Sequence, residues 1–549
     1  MSPARLIRGV AAAVIGGLVL AAVGTSAHAI DLGDGMSLDI TESLFADYHF
    51  VLDDPELPES AREGVVDFRN RLNIRFRFDR FTIGTRLDLA IFPDPPNDAY
   101  QNDFRPEELF ITGRFGRFVV TLGDDFVSIG RGLALSLRKL DEVGFSTTLR
   151  GVHLQYRTPR FKFRVSTGLT NVVNVDSVEE KLVPDPNDFI VAARVDVQPF
   201  SALKVGVHAV DIERRHSELR SGVAGVFGDD DTGRINGTEF VRSTIFGVNV
   251  ELPSIADIVT LYAEFDYLMN LERRDTLQGL RDVETDGYAF YGSAQGFFDD
   301  VTVLVEAKHY DRYDVSSTLH PDTAQTQGVT QTFSYIIPPT LERIDQRIQN
   351  NTDVTGLRTK VDYAIDKDNS AFLSAAWFGD APAKEEFTLH TYGGFEHAGG
   401  TGTRILAQAG YRREDAPDAD IVRLSMVHFD FDWFHVFSEH ADLQFHISHE
   451  FRSTNIGAAA LEDDYIEGTS YATINLPPKW SFTAQFEYLT SDEAKDNVFP
   501  GAFIQYRFTD ASFVRVFVGR GKGGLKCSGG VCRVFPDFEG VKVETTLRF

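Results

Sequence analysis

Four arginines, Arg69, Arg71, Arg75 and Arg77, alternate with Phe68, Leu72, Ile74, Phe76 and Phe78. In an extended chain successive side chains point to opposite faces, so the guanidinium groups share one face and the apolar groups the other. Asp39 and Asp47 hold polar-face positions in the preceding segment, and Arg86 and Asp88 do so in the following one. Such a row can do one of two things. It can pair with neighbouring carboxylates in a lattice of ion pairs, or it can present positive charge to an anionic solute. A solvated pair contributes only ~0.2–1 kcal/mol, so four arginines exceed what stability asks for.

A second charged set, Arg131, Arg138 and Lys139 against Asp141 and Glu142, lies in segment 130–150. That segment is richer in apolar residues than a solvent loop, and Gly130 and Gly132 allow a sharp bend. It reads as a loop turned inward to form a constriction; the alternative is an ordinary outward hairpin. Cys527 and Cys532 sit among Gly523, Gly524, Gly529 and Gly530, and outside the cytosol they are expected to form a disulfide. Closing so short a loop has a local effect.

Other clusters carry less. Asp229, Asp230 and Asp231 begin a run with the flavour of a calcium loop, but the spaced ligands and closing Glu are missing. His428, His435, His440, His446 and His449 are crowded, yet the strand period scatters them over both faces, so no metal site is assigned. There is no nucleophile elbow, HExxH or Walker loop. Neither an enzyme nor a cofactor is expected.

The element that must position these groups is the β-strand. After residue 29 no apolar run reaches 18 residues, and alternation recurs instead, from 36–51, 64–79 and 81–93 to 511–520 and 538–549. About 24 such segments can be drawn, with roughly 22 to 26 as the range, many as long as the ~10 residues a transmembrane strand needs. Tight connectors (Asp79-Arg80, Phe115-Gly116, Pro199-Phe200, Thr509-Asp510) alternate with long ones at 213–238, 314–352 and 521–537. Two irregularities stand out, a short connector at 381–383 and a long turn at 434–441. Residues 1–29 have Arg5 and Arg8, an apolar run from Val10 to Val23, and Ala27-His28-Ala29. That is the pattern of a cleaved export signal, and the run falls short of the ~20 apolar residues of a membrane anchor.

Composition narrows the classes further. The chain has 81 acidic and 54 basic residues, a net charge of −27, which argues against nucleic acid as a partner. Mean hydropathy of −0.16 excludes a stack of apolar membrane helices. Two cysteines exclude a disulfide scaffold.

Export signal, alternating strands and the terminal Phe549 together resemble the bacterial outer-membrane β-barrel class, porin-like in outline. The resemblance implies an all-β chain in the outer membrane: a single antiparallel transmembrane barrel over 30–549. The first strand begins so soon after residue 29 that no N-terminal plug domain is expected. Gly123-Asp124-Asp125, Gly130-Arg131-Gly132-Leu133-Ala134-Leu135 and Thr148-Leu149-Arg150-Gly151 are similar to a family of large barrels of unknown function. The function expected is a channel or export conduit passing a hydrophilic, anionic or oligomeric solute by passive diffusion. The alternative is an occluded barrel whose loops bind a partner. Membrane lipid is the expected surround, with divalent cations beside the loop carboxylates Asp53, Asp54, Glu56 and Glu59.

Overall fold

The computed structural model describes residues 30–54, 57–98, 100–140, 144–172, 185–215, 238–276, 279–319, 331–339, 353–380, 387–400, 402–416, 421–456, 461–491, 496–528 and 531–549, so the short connector expected at 381–383 lies outside the described residues. Long strands dominate. In chain order they are β1 Met36–Leu52, β2 Glu63–Phe78, β3 Phe81–Ile91, β4 Asp103–Phe115, β5 Phe118–Asp125, β6 Phe145–Arg157, β7 Phe161–Val172 and β8 Phe189–Phe200. Next come β9 Leu203–Glu213, β10 Thr238–Ile255, β11 Val259–Thr276, β12 Gly279–Phe298, β13 Val301–Asp311, β14 Val354–Ala364, β15 Asn369–Asp380 and β16 Phe387–Gly399. The last are β17 Thr403–Ala416, β18 Ile421–Ser438, β19 Ala441–Ile456, β20 Leu461–Leu476, β21 Trp480–Leu489, β22 Val498–Thr509, β23 Ser512–Gly521 and β24 Phe538–Arg548.

Each strand pairs antiparallel with the next, as chain neighbours joined by turns can do. β24 then pairs with β1, from Thr41↔Arg548 to Leu52↔Phe538, and the sheet closes on itself. The backbone N–H of Phe549 donates to the carbonyl of Ile40 at 2.8 Å, extending that seam. Closure leaves no unpaired edge, which a sheet surrounded by hydrocarbon requires. The result is a closed barrel of 24 strands.

Alternation puts Phe78, Ile83, Ile111, Leu122, Val152, Phe246 and Val248 on the outer surface, each 40% exposed or more. An exposed apolar band of this extent marks a surface that faces lipid, not water. Near the short turns, Phe76, Phe78, Phe81 and Phe115 pack ring to ring, and Phe118, Tyr156 and Phe161 continue the row. This is an aromatic girdle of the kind that sits at a membrane interface.

The connectors differ from the sequence expectation in three places. β18 runs on to Ser438, so the turn expected to be long is only Glu439-His440. β5 ends at Asp125 instead of running to 130, and 145–150 belong to β6 instead of to a loop. In the connector expected outside at 314–352, Ser316–Leu319 and Gln331–Ser334 form a hairpin, and Tyr335, Ile336 and Ile337 after it are buried in the lumen. Three apolar residues in a row prefer the barrel's interior to water. Among the described residues there is no N-terminal plug domain.

Candidate functional site

The lumen is divided. One side holds an apolar core, unusual for a water-filled barrel. Val127, Ile129, Leu133, Ala134, Leu135 and Leu137 are at most 2% exposed. They pack against the inward faces of β6 to β15, including Leu149, Ile190, Val210, Ile245, Leu268, Tyr291, Tyr310 and Phe378. The segment turns in because Gly130 and Gly132 take φ of +67° and +90°, where a side chain is strained. A Cβ on Gly132 would overlap the carbonyl oxygen of Ile337, and one on Gly130 would overlap the Glu264 carboxylate.

Backbone bonds lock two inner segments together. Ser136 N–H donates to the Tyr335 carbonyl at 2.8 Å, and Ile337 N–H donates to the Gly132 carbonyl at 2.9 Å. Tyr313 O–H reaches the Leu133 carbonyl at 3.3 Å, and Tyr335 O–H reaches Asp188 at 2.7 Å. The buried hydroxyls of Tyr313 and Tyr335 therefore have partners, as an apolar surround demands.

The opposite side is open and charged. A cavity of about 990 Å³ lies against β1 to β4 and β21 to β24, lined also by Lys139 and Gly144 of the inner connector and by Ser146 of β6. Arg69, Arg71, Lys139, Arg515, Lys522 and Lys542 line it together with Asp47, Asp88, Asp103, Glu107, Glu487 and Glu544. Cations and carboxylates balance. The wall therefore carries alternating charge and no single-sign field.

The arginine row divides in the same way. Arg69 donates to Asp47 at 2.7 Å and to Asp67 at 2.9 Å, and Arg71 lies 3.6 Å from Asp88. Arg86 is 2% exposed and is held by Asp88 at 2.8 Å, with Glu108 at 3.5 Å. Arg75 and Arg77, nearer the short turns, are exposed. Asp39 is the register partner of Arg75 and lies 3.5 Å from Arg548. The row is thus part lattice and part exposed charge.

Arg131 stacks over the Tyr262 ring at 3.9 Å and donates to Ser293 at 3.3 Å, while Arg138 is half-buried. Asp141 and Glu142 lie outside the described residues, as does the acidic run 229–231. Cys527 and Cys532 are register partners across the hairpin Gly524–Ser528 and Val531–Phe535; their side chains are outside the description. Asp54 is not a hydrated surface carboxylate: it is 4% exposed and accepts from Tyr100 O–H at 2.7 Å. Asp53 accepts from the backbone N–H of Asp537 at 3.0 Å, Glu59 is exposed, and Glu56 is outside the description. The crowded histidines split as their parity requires: His428 bonds His390 at 3.0 Å, His446 bonds Asp432 at 2.8 Å, His435 bonds Thr403 at 2.7 Å, His449 bonds Tyr488, and His440 sits in a turn.

Two features escape a reading of the sequence. Asp124 is a hub: it accepts from Leu109 N–H and Thr148 O–H at 2.8 Å each and from Arg150 at 3.0 Å. The separated pieces 123–125 and 148–151 meet there because Gly123 and Gly151 are register partners. Buried clusters of His with acids, Asp47-His49-Asp67 and His208-Glu264-Asp266, are the second. Parity places each side chain inward, but only register brings the partners together.

Strand count, closure, lipid-facing band and charged interior define a transmembrane β-barrel of the bacterial outer-membrane class. Residues 426–549 match a family of unknown function, DUF6029. No curated protein matches the chain. Among solved structures, it is similar to the siderophore receptor PirA from Pseudomonas aeruginosa (9% identity, TM-score 0.47, covering 93% of this chain and 80% of that one). The P pilus usher PapC translocation pore gives 8% identity and a TM-score of 0.43, over 93% and 99% of the two chains. For Pseudomonas aeruginosa OccK3 the values are 10% and 0.39, over 76% and 96%. Identity and superposition this low bear on neither activity nor solute.

Proposed function

We propose that the protein is a restricted transport conduit of the outer membrane, passing small hydrophilic solutes by diffusion along the charged side of its lumen. One observation carries this reading: the inner segments fill the β6 to β15 side with an apolar core, while a cavity of about 990 Å³ with charged side chains in its wall stays along the other side. A space of that size suits a single small molecule of up to drug size, not an oligomer. Its balanced lining favours solutes with both donors and acceptors over simple anions. Arg75 and Arg77 supply the positive field at the short-turn end. Residues 1–29 act as the cleaved export signal, and amino-terminal sequencing of mature protein starting at Ile30 would support this.

The test is electrical. Purified protein in planar bilayers should give steady small-conductance openings. Ser43→Cys places a thiol in the cavity wall, and modifying it with a bulky reagent should block most of the current. A silent barrel, or a conducting one indifferent to modification at that position, overturns the proposal. Silence would favour a second reading, a closed barrel that binds partners through its outer loops, for which the apolar core is the supporting observation.

A further inference from the structure

His208 on β9, Gly247 on β10 and Asp266 on β11 stand in one row across three strands, His208↔Gly247 and Gly247↔Asp266. Glycine leaves the middle of the row empty of side chain, so the imidazole reaches over it, and Nε2 lies 2.5 Å from Asp266 Oδ1. Glu264, two residues earlier on β11, turns toward the same space with Oε1 at 3.9 Å from that nitrogen. All three side chains are fully buried. The ligand atoms of the three lie within 4.8 Å of one another.

The wiring around the cluster leaves atoms facing inward. Glu264 Oε2 is engaged by the backbone N–H of Arg131 at 3.0 Å and by Tyr262 O–H. Its Oε1, like Asp266 Oδ2, accepts no hydrogen bond from the described residues. Two carboxylates against one imidazole leave excess negative charge in a buried site, because the nearby Arg194 guanidinium is already paired with Asp196, and that is unfavourable without a counter-ion or a proton. The Asp47-His49-Asp67 cluster differs, because the Arg69 guanidinium already bonds both of its carboxylates.

We propose that His208, Asp266 and Glu264 form a binding site for one divalent cation of the zinc class. One imidazole nitrogen and two carboxylate oxygens are donors such an ion accepts, and two ionised carboxylates balance its charge. Ligand bonds of about 2.0–2.2 Å require ligand atoms roughly 3–4 Å apart. Glu264 already stands so from the imidazole, and Asp266 retreats slightly as the ion replaces its hydrogen bond. The proton on Nε2 leaves for Nδ1 or for solvent, freeing the lone pair for the metal. Since Glu264 also holds the Arg131 N–H, the ion fastens the inner segment to the wall.

Purified barrel stripped with chelator and titrated with Zn²⁺ should take up one equivalent through this cluster and melt at a higher temperature. A hundredfold excess of Mg²⁺ should not displace it, because Mg²⁺ prefers an all-oxygen, largely hydrated shell. His208→Gln removes the nitrogen ligand. Gly247→Ala keeps every ligand but places a methyl group between them, where it would collide with both His208 Nε2 and Asp266 Oδ1. Both variants should weaken Zn²⁺ binding at least tenfold, whereas His49→Gln should bind as the parent does. No stoichiometric uptake by the parent would overturn the site and leave a shared proton as what balances it. Equal binding by the parent, folded Gly247→Ala and His208→Gln would overturn it as well.

Discussion

Gly132→Ala perturbs the inner core at one atom. The residue sits at φ +90°, and an added Cβ would meet the Ile337 carbonyl. A side chain held in that backbone region costs about 1–3 kcal/mol. Losing the Ile337 N–H to Gly132 carbonyl bond, 2.9 Å in the parent, adds about 0.5–1.5 kcal/mol. The docked segment should therefore lose about 1.5–4.5 kcal/mol relative to the undocked one, a shift of roughly 10- to 2000-fold in their ratio. Hydrogen exchange reads that ratio directly, because the Ser136 N–H is held by the Tyr335 carbonyl at 2.8 Å only while the segment is docked. Exchange over 127–137 should accelerate by that factor, with more frequent large openings in bilayers. Gly116→Ala is the control: it has φ +62° in a short turn with nothing near its Cβ, so it carries similar strain outside the lumen. Unchanged exchange over 127–137 in Gly132→Ala, or equal acceleration there in Gly116→Ala, would refute the coupling of this glycine to the inner core.

Further outcomes follow from the same structure. Arg69→Gln removes the guanidinium that pairs with both Asp47 and the fully buried Asp67, leaving His49 at 3.4 Å from Asp67, and should lower stability by about 1–3 kcal/mol in a melting assay. Arg75→Gln with Arg77→Gln, at exposed positions, should leave melting within about 0.5 kcal/mol while moving the reversal potential toward cations, most at low salt. An epitope tag beside Glu59 should be reached on intact cells, and tags at Lys367 or Asp510 only after the outer membrane is opened; labelling at Lys367 on intact cells would invert the orientation. In the turn after β14, the Asp366 carboxylate accepts from the Asp368 backbone N–H and the Asn369 amide, which hold its pKa below the usual value. Because the folded pKa is depressed, the turn's stabilisation is present above the ordinary carboxylate pKa and is lost only as pH falls through the lowered one. Carboxyl NMR should show Asp366 titrating below the usual aspartate value, and Asn369→Ala should bring it back toward that value. Thiol reagents applied without reductant should label neither Cys527 nor Cys532, whose backbones are register partners; a free thiol would exclude the bridge.

Much of this barrel is written in local alternation. A strand's faces follow from a period of two residues, so Arg69 to Phe78 reveals an inward and an outward face without any partner in view, and the 24 strands can be drawn one by one. Connector lengths are equally local, and they signal a barrel with short turns at one end. Register is different in kind, because it depends on pairs of strands far apart in the chain and on where each turn closes. His208, Gly247 and Asp266 share a row only after three strands are aligned, and Gly123 meets Gly151 for the same reason. Whether Arg71 finds Asp88 while Arg77 stays exposed is settled by the neighbours each register supplies. The filling of the lumen lies further still from the sequence. The two glycines at 130 and 132 mark a bend, but burial of Tyr335 to Ile337 beside it requires two distant connectors to enter one cavity and satisfy each other's backbone groups. Apolar residues in a connector show a need for cover; only the closed wall and the second segment determine what covers them.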